Sequence, residues 1–174
     1  MSHVIDATTS AQQTLVHESE LDCLRKAVEK LGGVWKEGQT HYRTWASDNG
    51  PLVGDYPLPE GMSEQDVGKC THAIGLNNKA KSGPQAYEVG VVESSEHPGY
   101  YGLVYDFYGG AIDSQFSSKD DQGRQQHDLG HLMAEFHLEA ARQEAEAQGD
   151  QLIIHENEEG DYELEIDTTA RLGY

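Results

Sequence analysis

The sequence is poor in cysteine, in basic residues and in long apolar runs, and each shortage excludes a class of protein. Two cysteines, Cys23 and Cys70, are too few for a disulfide framework in a chain of 174 residues. No stretch approaches the roughly 18 consecutive apolar residues that a transmembrane helix needs. Twelve Lys and Arg against 31 Asp and Glu give a formal net charge of -19, which excludes nucleic-acid binding through a generally basic surface.

The N-terminus also lacks a basic region followed by an apolar one, so it does not predict a secretory signal. We therefore expect a cytoplasmic protein with no membrane partner. Hydrophobic residues make up 36% of the chain and the mean hydropathy is -0.69, which are low values, but the chain is long enough to bury a core. The length predicts a single domain over residues 1–174.

Apolar residues at helical spacing predict two helices. The first spans about 19–31 and is followed by Gly32, with Ser19 and Asp22 as its capping box. The second spans about 120–148. Its apolar stripe consists of Leu129, Leu132, Met133, Phe136 and Ala140.

Alternating and β-branched runs predict strands around these helices. The predicted strands lie at about 3–9, 34–35, 70–76, 86–92, 100–108, 152–154 and 162–166, with a further short extended stretch at 41–45. Proline and glycine at about 46–69 predict a long loop insertion, and the final residues a short tail. The order β-α-β-β-β-β-α-β-β predicts an α+β fold, in which two helices pack on one face of a mostly antiparallel sheet.

Several strings in this order resemble an uncharacterised family named after hypothetical chloroplast reading frame 35, with plastid, cyanobacterial, bacterial and phage members. Met1-Ser2-His3 is similar to its usual start, 87–91 to its Tyr-Asp-Ile-Gly-Phe strand and 103–109 to its Leu-Val-Ala-Asp-Trp-Trp-Gly segment. A long helix and an acidic hairpin complete a match over roughly two thirds of the chain. The resemblance implies the same fold and a phage or bacterial accessory protein, in the host cytoplasm if phage-encoded. It supplies no catalytic motif.

Acidic residues concentrate in the last third of the chain. Between residues 135 and 167 there are twelve acidic residues and one basic residue, Arg142. Alternation places Glu163, Glu165 and Asp167 on one face of the last strand, about 6.7 Å apart, where they repel one another unless a partner compensates. The plain interpretation is a solubilising surface. The more specific interpretation is a surface that binds a partner protein. Its predicted contact residues are Glu156, Glu158, Glu159, Asp161, Glu163, Glu165 and Asp167.

From this acidic concentration we expect a non-enzymatic binding protein whose electronegative face docks a basic surface of another protein. Such a face could inhibit or adapt a host factor, and in an extended form it could imitate the phosphate charge of a nucleic acid. We expect no direct nucleic-acid binding and no cofactor. The partner and the oligomeric state, homo-oligomers included, stay open.

A histidine-rich string gives an alternative, a metal-binding protein or a metal-dependent hydrolase. His127, His131 and Glu135 recur every fourth residue, so on one helix they would offer two imidazoles and a carboxylate to a single ion. Gly130 weakens a helix at this point, and the three residues fall opposite the apolar stripe. A solvated polar face is therefore the simpler interpretation.

A second alternative is a small-ligand binder with a pocket near Tyr101, Tyr105 and Tyr108, although tyrosines on both faces of a strand are more typical of core and packing positions. A thiol nucleophile is not predicted. Cys23 fits a small buried hydrophobic position within the first helix. Cys70 alternates with His72 on a strand but lacks a third, orienting group.

Overall fold

Six strands form one antiparallel sheet, and a separate two-stranded hairpin follows it near the end of the chain. The strands of the main sheet are β1 (Val4–Asp6), β2 (Val16–His17), β3 (Gly33–Lys36), β4 (His72–Leu76), β5 (Val89–Glu93) and β6 (Tyr100–Asp106). Their order is β1-β6-β5-β4-β3, and β2 pairs with the same edge of β6 as β1 does. The computed structural model describes residues 4–6, 15–44, 65–77, 87–107, 109–156 and 162–167.

The main core lies between one face of this sheet and two helices, α1 (Leu21–Lys30) and α3 (Gly130–Ala147). Alternation along β6 turns Tyr101, Leu103 and Tyr105 toward these helices. The helices contribute the buried side chains of Cys23, Leu24, Ala27, Val28, Leu132, Met133 and Phe136. The predicted α+β class, with an antiparallel sheet and helices on one face, is confirmed. None of the helices in the described part of the chain is long and apolar enough to cross a membrane.

The opposite face of the sheet carries a smaller apolar cluster around the buried ring of Tyr42. Ala73 and Val104 pack with this ring, and Val92 contacts the cluster from β5. The ring lies directly over Gly90, where a Cβ atom would come within 2.8 Å of three ring atoms. The sheet is therefore covered on both sides, and Gly90 is required for the close approach of Tyr42.

The hairpin consists of β7 (Gln151–Glu156) and β8 (Tyr162–Asp167), as the alternation predicted. It forms a sheet of its own and does not pair with the main sheet. The backbone N–H of Asp150 donates to the carbonyl oxygen of Ala145 at 2.9 Å, which joins the first hairpin strand to the end of α3. The hairpin is thus attached to the body through the helix rather than through strand pairing.

The second predicted helix is wrong over its first ten residues, because the chain forms a loop over 117–129 before α3 begins. The carboxylate of Asp128 closes this loop by accepting hydrogen bonds from the backbone N–H groups of Ser118 and Gly130 at 3.0 and 2.8 Å. Leu129 takes the left-handed conformation, with φ of 50°, which a helix does not allow.

A short helix, α2 (Ala111–Phe116), also precedes this loop and was not predicted. The start of α1 differs as well. The capping box observed here is formed by His17 and Glu20 and belongs to a short 3-10 turn before α1, while Asp22 pairs with Arg25.

Of three other predicted elements, one differs from the structure and two lie largely or wholly outside the described residues. Instead of starting a strand, His41 forms an isolated bridge with Lys69. Most of the predicted loop insertion, residues 46–64, and the predicted tail, 168–174, lie outside the described residues.

Candidate functional site

The carboxylates of the last strand lie on one face of the hairpin. Register places Glu163 opposite His155, Glu165 opposite Ile153 and Asp167 opposite Gln151. Glu163 and Glu165 are exposed and Asp167 is half-buried. The imidazole of His155 lies 3.4 Å from Glu165 and is a weak, exposed neighbour for it. This carboxylate face is therefore open to solvent.

The other face of the same hairpin is apolar. Leu152 lies opposite Ile166, and Ile154 lies opposite Leu164. Leu164 and Ile166 are 48% and 58% exposed, while Leu152 and Ile154 are half-buried. We call these four residues the apolar hairpin face. A two-stranded sheet is marginally stable in water without a covered face, and the exposure of Leu164 and Ile166 leaves this face partly uncovered.

The remaining predicted contact residues add less to this surface. Glu158, Glu159 and Asp161 lie outside the described residues. Glu156 ends β7 opposite Tyr162, and its side chain is also outside the described set.

Acidic residues on and after α3 do not extend the carboxylate face as one surface. Glu135 is 5% exposed, and its Oε2 lies 2.5 Å from Nζ of Lys30 on α1. Glu139 pairs with Arg142 along the helix, and Asp150 is buried. Part of the acidic run is therefore turned inward, and among the side chains of the hairpin that the structure describes, the exposed carboxylates lie on β8.

The proposed metal ligands are not brought together, and the expectation that they share one helix face is wrong. His127 precedes α3, which begins at Gly130. His131 is exposed on the helix, whereas Glu135 is buried and held by Lys30. Among the described residues there is no group of three histidine, cysteine or acidic side chains that could hold a metal ion.

The tyrosines proposed to line a pocket are separated. Tyr101 and Tyr105 both belong to the main core and lie about 13 Å apart along β6. Burial raises the pKa of Tyr101, and burial together with the nearby Asp113 raises the pKa of Tyr105. Tyr108 lies outside the described residues. Tyr105 nevertheless takes part in a polar cluster that the sequence did not predict.

The two thiols are unsuited to nucleophilic chemistry. Cys23 is buried in α1, as predicted, with its Sγ 2.5 Å from Oε1 of Gln143, and burial raises its pKa. Burial raises the pKa of Cys70 to about 12, and its thiol donates to the carbonyl oxygen of Gln39. Both groups are therefore thiols rather than thiolates at neutral pH. His72, the histidine that alternates with Cys70 along the chain, stacks on Trp35.

A buried carboxylate organises the unpredicted polar cluster. Asp113, on α2, is 1% exposed. Its Oδ1 accepts hydrogen bonds from the hydroxyls of Tyr105 and Ser117 at 2.6 and 2.9 Å. Its Oδ2 lies 2.5 Å from Nδ1 of His127. The three partners come from β6 and from both ends of the 117–129 loop, so the cluster ties that loop to the sheet.

His127 is the solvent-facing member of this cluster. Its ring stacks on Phe107, with a centroid distance of 4.0 Å and an interplanar angle of 22°. Its side chain is 50% exposed, although its partner carboxylate is buried. The backbone N–H of Leu129 donates to the Ser117 hydroxyl at 3.2 Å, which fixes the chain two residues beyond His127. An exposed imidazole is thus held on one edge and on one face.

Comparison with known proteins adds no relative. No family model, no curated protein and no solved structure matches this chain. The resemblance to the reading-frame-35 family therefore stays a prediction.

Proposed function

We propose that this protein acts by binding, and that its C-terminal hairpin docks onto a basic surface of a partner protein. The observation that carries the proposal is the hairpin's two-sided character. Glu163 and Glu165 are exposed on one face, and Leu164 and Ile166 are about half-exposed on the other. A solubilising role would explain the exposed carboxylates but would not explain the exposed apolar side chains.

The apolar hairpin face supplies the affinity in this proposal. Leu164 and Ile166 retain about half of their accessible surface, so covering each one is worth about 1 kcal/mol. A partner that covers them also shields a two-stranded sheet that the main sheet does not support.

The carboxylates supply orientation and encounter rate. Three like charges on one strand face favour a partner with Lys or Arg at matching positions and disfavour acidic partners. A nucleic-acid-binding protein is one such partner, because its basic surface already accepts a row of negative charges. Occupying that surface would inhibit or adapt a host factor, in keeping with the accessory role that the family resemblance implies.

The test is affinity purification from the native cell with the full chain, followed by mass spectrometry. Bound partners should be lost with Glu163→Lys/Glu165→Lys, and separately with Leu164→Ser/Ile166→Ser. Glu96→Lys, an exposed acidic position in the β5–β6 turn, is the matched control and should leave binding unchanged.

Ionic strength gives a second readout of the same proposal. Exposed charges are screened over about 8 Å at physiological ionic strength, so raising the salt should weaken capture of the partner. Partners that survive high salt and both double substitutions would contradict the proposal. Loss only with the apolar substitutions, accompanied by conversion of a dimer to a monomer in light scattering, would instead assign the face to self-association.

A further inference from the structure

The outer edge of the C-terminal hairpin is a strand edge that no strand of the described part of the chain covers. β8 pairs with β7 over six consecutive register positions and with no other described strand. Backbone groups alternate in direction along an antiparallel strand, so every second residue of β8 directs its N–H and C=O away from β7. Half of the six residues of β8 therefore present these groups on the outer edge.

Several features that commonly protect an edge strand are absent from β8. Residues 162–167 contain neither proline nor lysine, and their register with β7 has no bulge. The side chains of 163–166 are all exposed, whereas those of 152–154 on β7 are half-buried. β8 is thus the more open strand of the pair, and its edge can accept another strand.

The charge on β8 determines which strand this edge favours. Antiparallel pairing with β8 of a second copy would place Glu163 and Glu165 beside carboxylates on the same sheet face, and like charges on neighbouring strands are destabilising. The net charge of -19 adds to this repulsion between copies. A strand with lysine or arginine on that face gains opposite-charge pairs instead. The edge therefore favours a basic strand over a second copy of this chain.

The apolar hairpin face adds a second requirement for the occupant. Leu164 and Ile166 lie on this face and are 48% and 58% exposed. An added strand with apolar side chains on this face would cover part of both residues and would widen the sheet to three strands, which favours independent stability. Successive side chains of a strand point to opposite faces, so the occupant must alternate basic and apolar residues.

We propose that the outer edge of β8 binds an extended segment of a partner protein in which lysine or arginine alternates with apolar residues, and that this segment adds a third strand to the hairpin. The inference rests on the proposed function and names the chemistry of the partner at the same surface. Main-chain hydrogen bonds to β8 supply affinity, and the alternating side chains supply specificity. A segment of about six residues matches the length of β8.

The first experiment titrates the full-length protein into a fluorescein-labelled peptide, Lys-Val-Lys-Val-Lys-Val-Lys-Val-Lys, and measures anisotropy. Saturable binding is expected. Two control peptides keep the charge. One is permuted to Lys-Lys-Val-Val-Lys-Lys-Val-Val-Lys, which no longer matches the two faces of β8. The other carries methyl groups on two adjacent central backbone nitrogens, which blocks both of its edges. Each control should bind at least about tenfold more weakly.

Substitutions in the protein test the two faces of β8 separately. Glu165→Lys and Leu164→Ser should each weaken binding of the alternating peptide at least about threefold, because one removes an opposite-charge pair and the other removes apolar contact. Glu96→Lys, the exposed position in the β5–β6 turn, is the matched charge control and should leave the affinity unchanged. Circular dichroism checks that each variant is folded.

Amide hydrogen exchange of the complex separates strand addition from contact through side chains alone. Strand addition should slow exchange at every second amide of β8, where the N–H groups point away from β7. No saturable binding of the alternating peptide, unchanged exchange on β8, or equal affinity for the methylated peptide would overturn the inference. None of these results contradicts the proposed function, which fails only if native partners survive both double substitutions on the hairpin.

Discussion

Side chains of the same type differ in exposure between the C-terminal hairpin and the body, which is formed by the main sheet and its helices. Leu103 in the body is fully buried, whereas Leu164 on the hairpin is 48% exposed. Glu135, a buried acid of the body, pairs with Lys30, while Glu163 and Glu165 are exposed to solvent. The body therefore holds these side chains in contacts within the chain, whereas the hairpin exposes them to solvent.

The largest expected contrast is between two leucine truncations of identical chemistry. Leu103→Ala removes a side chain that packs in the main core and should lower the free energy of unfolding by about 2–5 kcal/mol. Leu164→Ala should lower it by less than about 1 kcal/mol, because half of the side chain is already in water. Urea denaturation measures both changes. Equal losses would show that the hairpin is integrated into the core and would remove the contrast.

Gly90→Ala should give the next largest effect, about 1–3 kcal/mol of destabilisation, because the new methyl group collides with the ring of Tyr42. The double variant Tyr42→Ala/Gly90→Ala provides the control. If the collision is the cause, adding Gly90→Ala to Tyr42→Ala should cost much less than it costs in the wild type. Additive losses would point to a different origin. This prediction tests whether the second face of the sheet is as tightly packed as the first.

Sequence patterns predicted the repetitive parts of the body well. Short runs of apolar and β-branched residues located β4, β5 and β6, and alternation along β6 identified the face that packs against the helices. The apolar stripe located α3 from Leu132 onward, because one face of this helix packs in the main core. The hairpin was predicted equally well, although the same alternation gave no information on whether its apolar face is covered. Burial depends on what lies opposite a face, which a local period does not specify.

The polar cluster was beyond the reach of local patterns. Asp113 and His127 are 14 residues apart and meet only because the intervening loop doubles back. One signal was present but unused, since Asp128 is a typical residue just before a helix and marks the start of α3 better than the histidine spacing does. Recognising that boundary would have removed His127 from the predicted helical metal site. The contact with Asp113 would still have required the tertiary structure.

Removing the Asp128 carboxylate should cost about 1 kcal/mol at neutral pH, the usual value of a helix-capping hydrogen bond. Burial acts to raise the pKa of Asp128, but hydrogen bonds from Ser118 and the Gly130 amide outweigh it and hold this pKa below the usual value. A lowered folded-state pKa means that the stabilisation is present above the unfolded value of about 3.9 and is lost as pH falls through the folded value.

The variant Asp128→Ala should therefore differ most from the wild type at pH 7, and the two unfolding curves should converge below about pH 4. Guanidinium denaturation over a pH series measures the difference. A gap that stays constant across the series would mean that the carboxylate acts by packing rather than by charge. Asp120→Ala is a useful comparison, because that half-buried aspartate also accepts loop hydrogen bonds but does not cap a long helix.

The smallest effect is expected on the hairpin itself, and its sign is the informative quantity. Glu165→Gln removes one of three like charges from the carboxylate face while keeping the side chain's size, so it should stabilise the isolated protein by a few tenths of a kcal/mol. The gain should shrink with added salt, because the repulsion is screened. Thermal unfolding at low and high ionic strength measures it, with Glu96→Gln as the control. A destabilised Glu165→Gln variant would mean that Glu165 makes a favourable contact with His155. The hairpin would then resemble the body, where Glu135 has a partner within the chain, more than a binding surface for a basic protein.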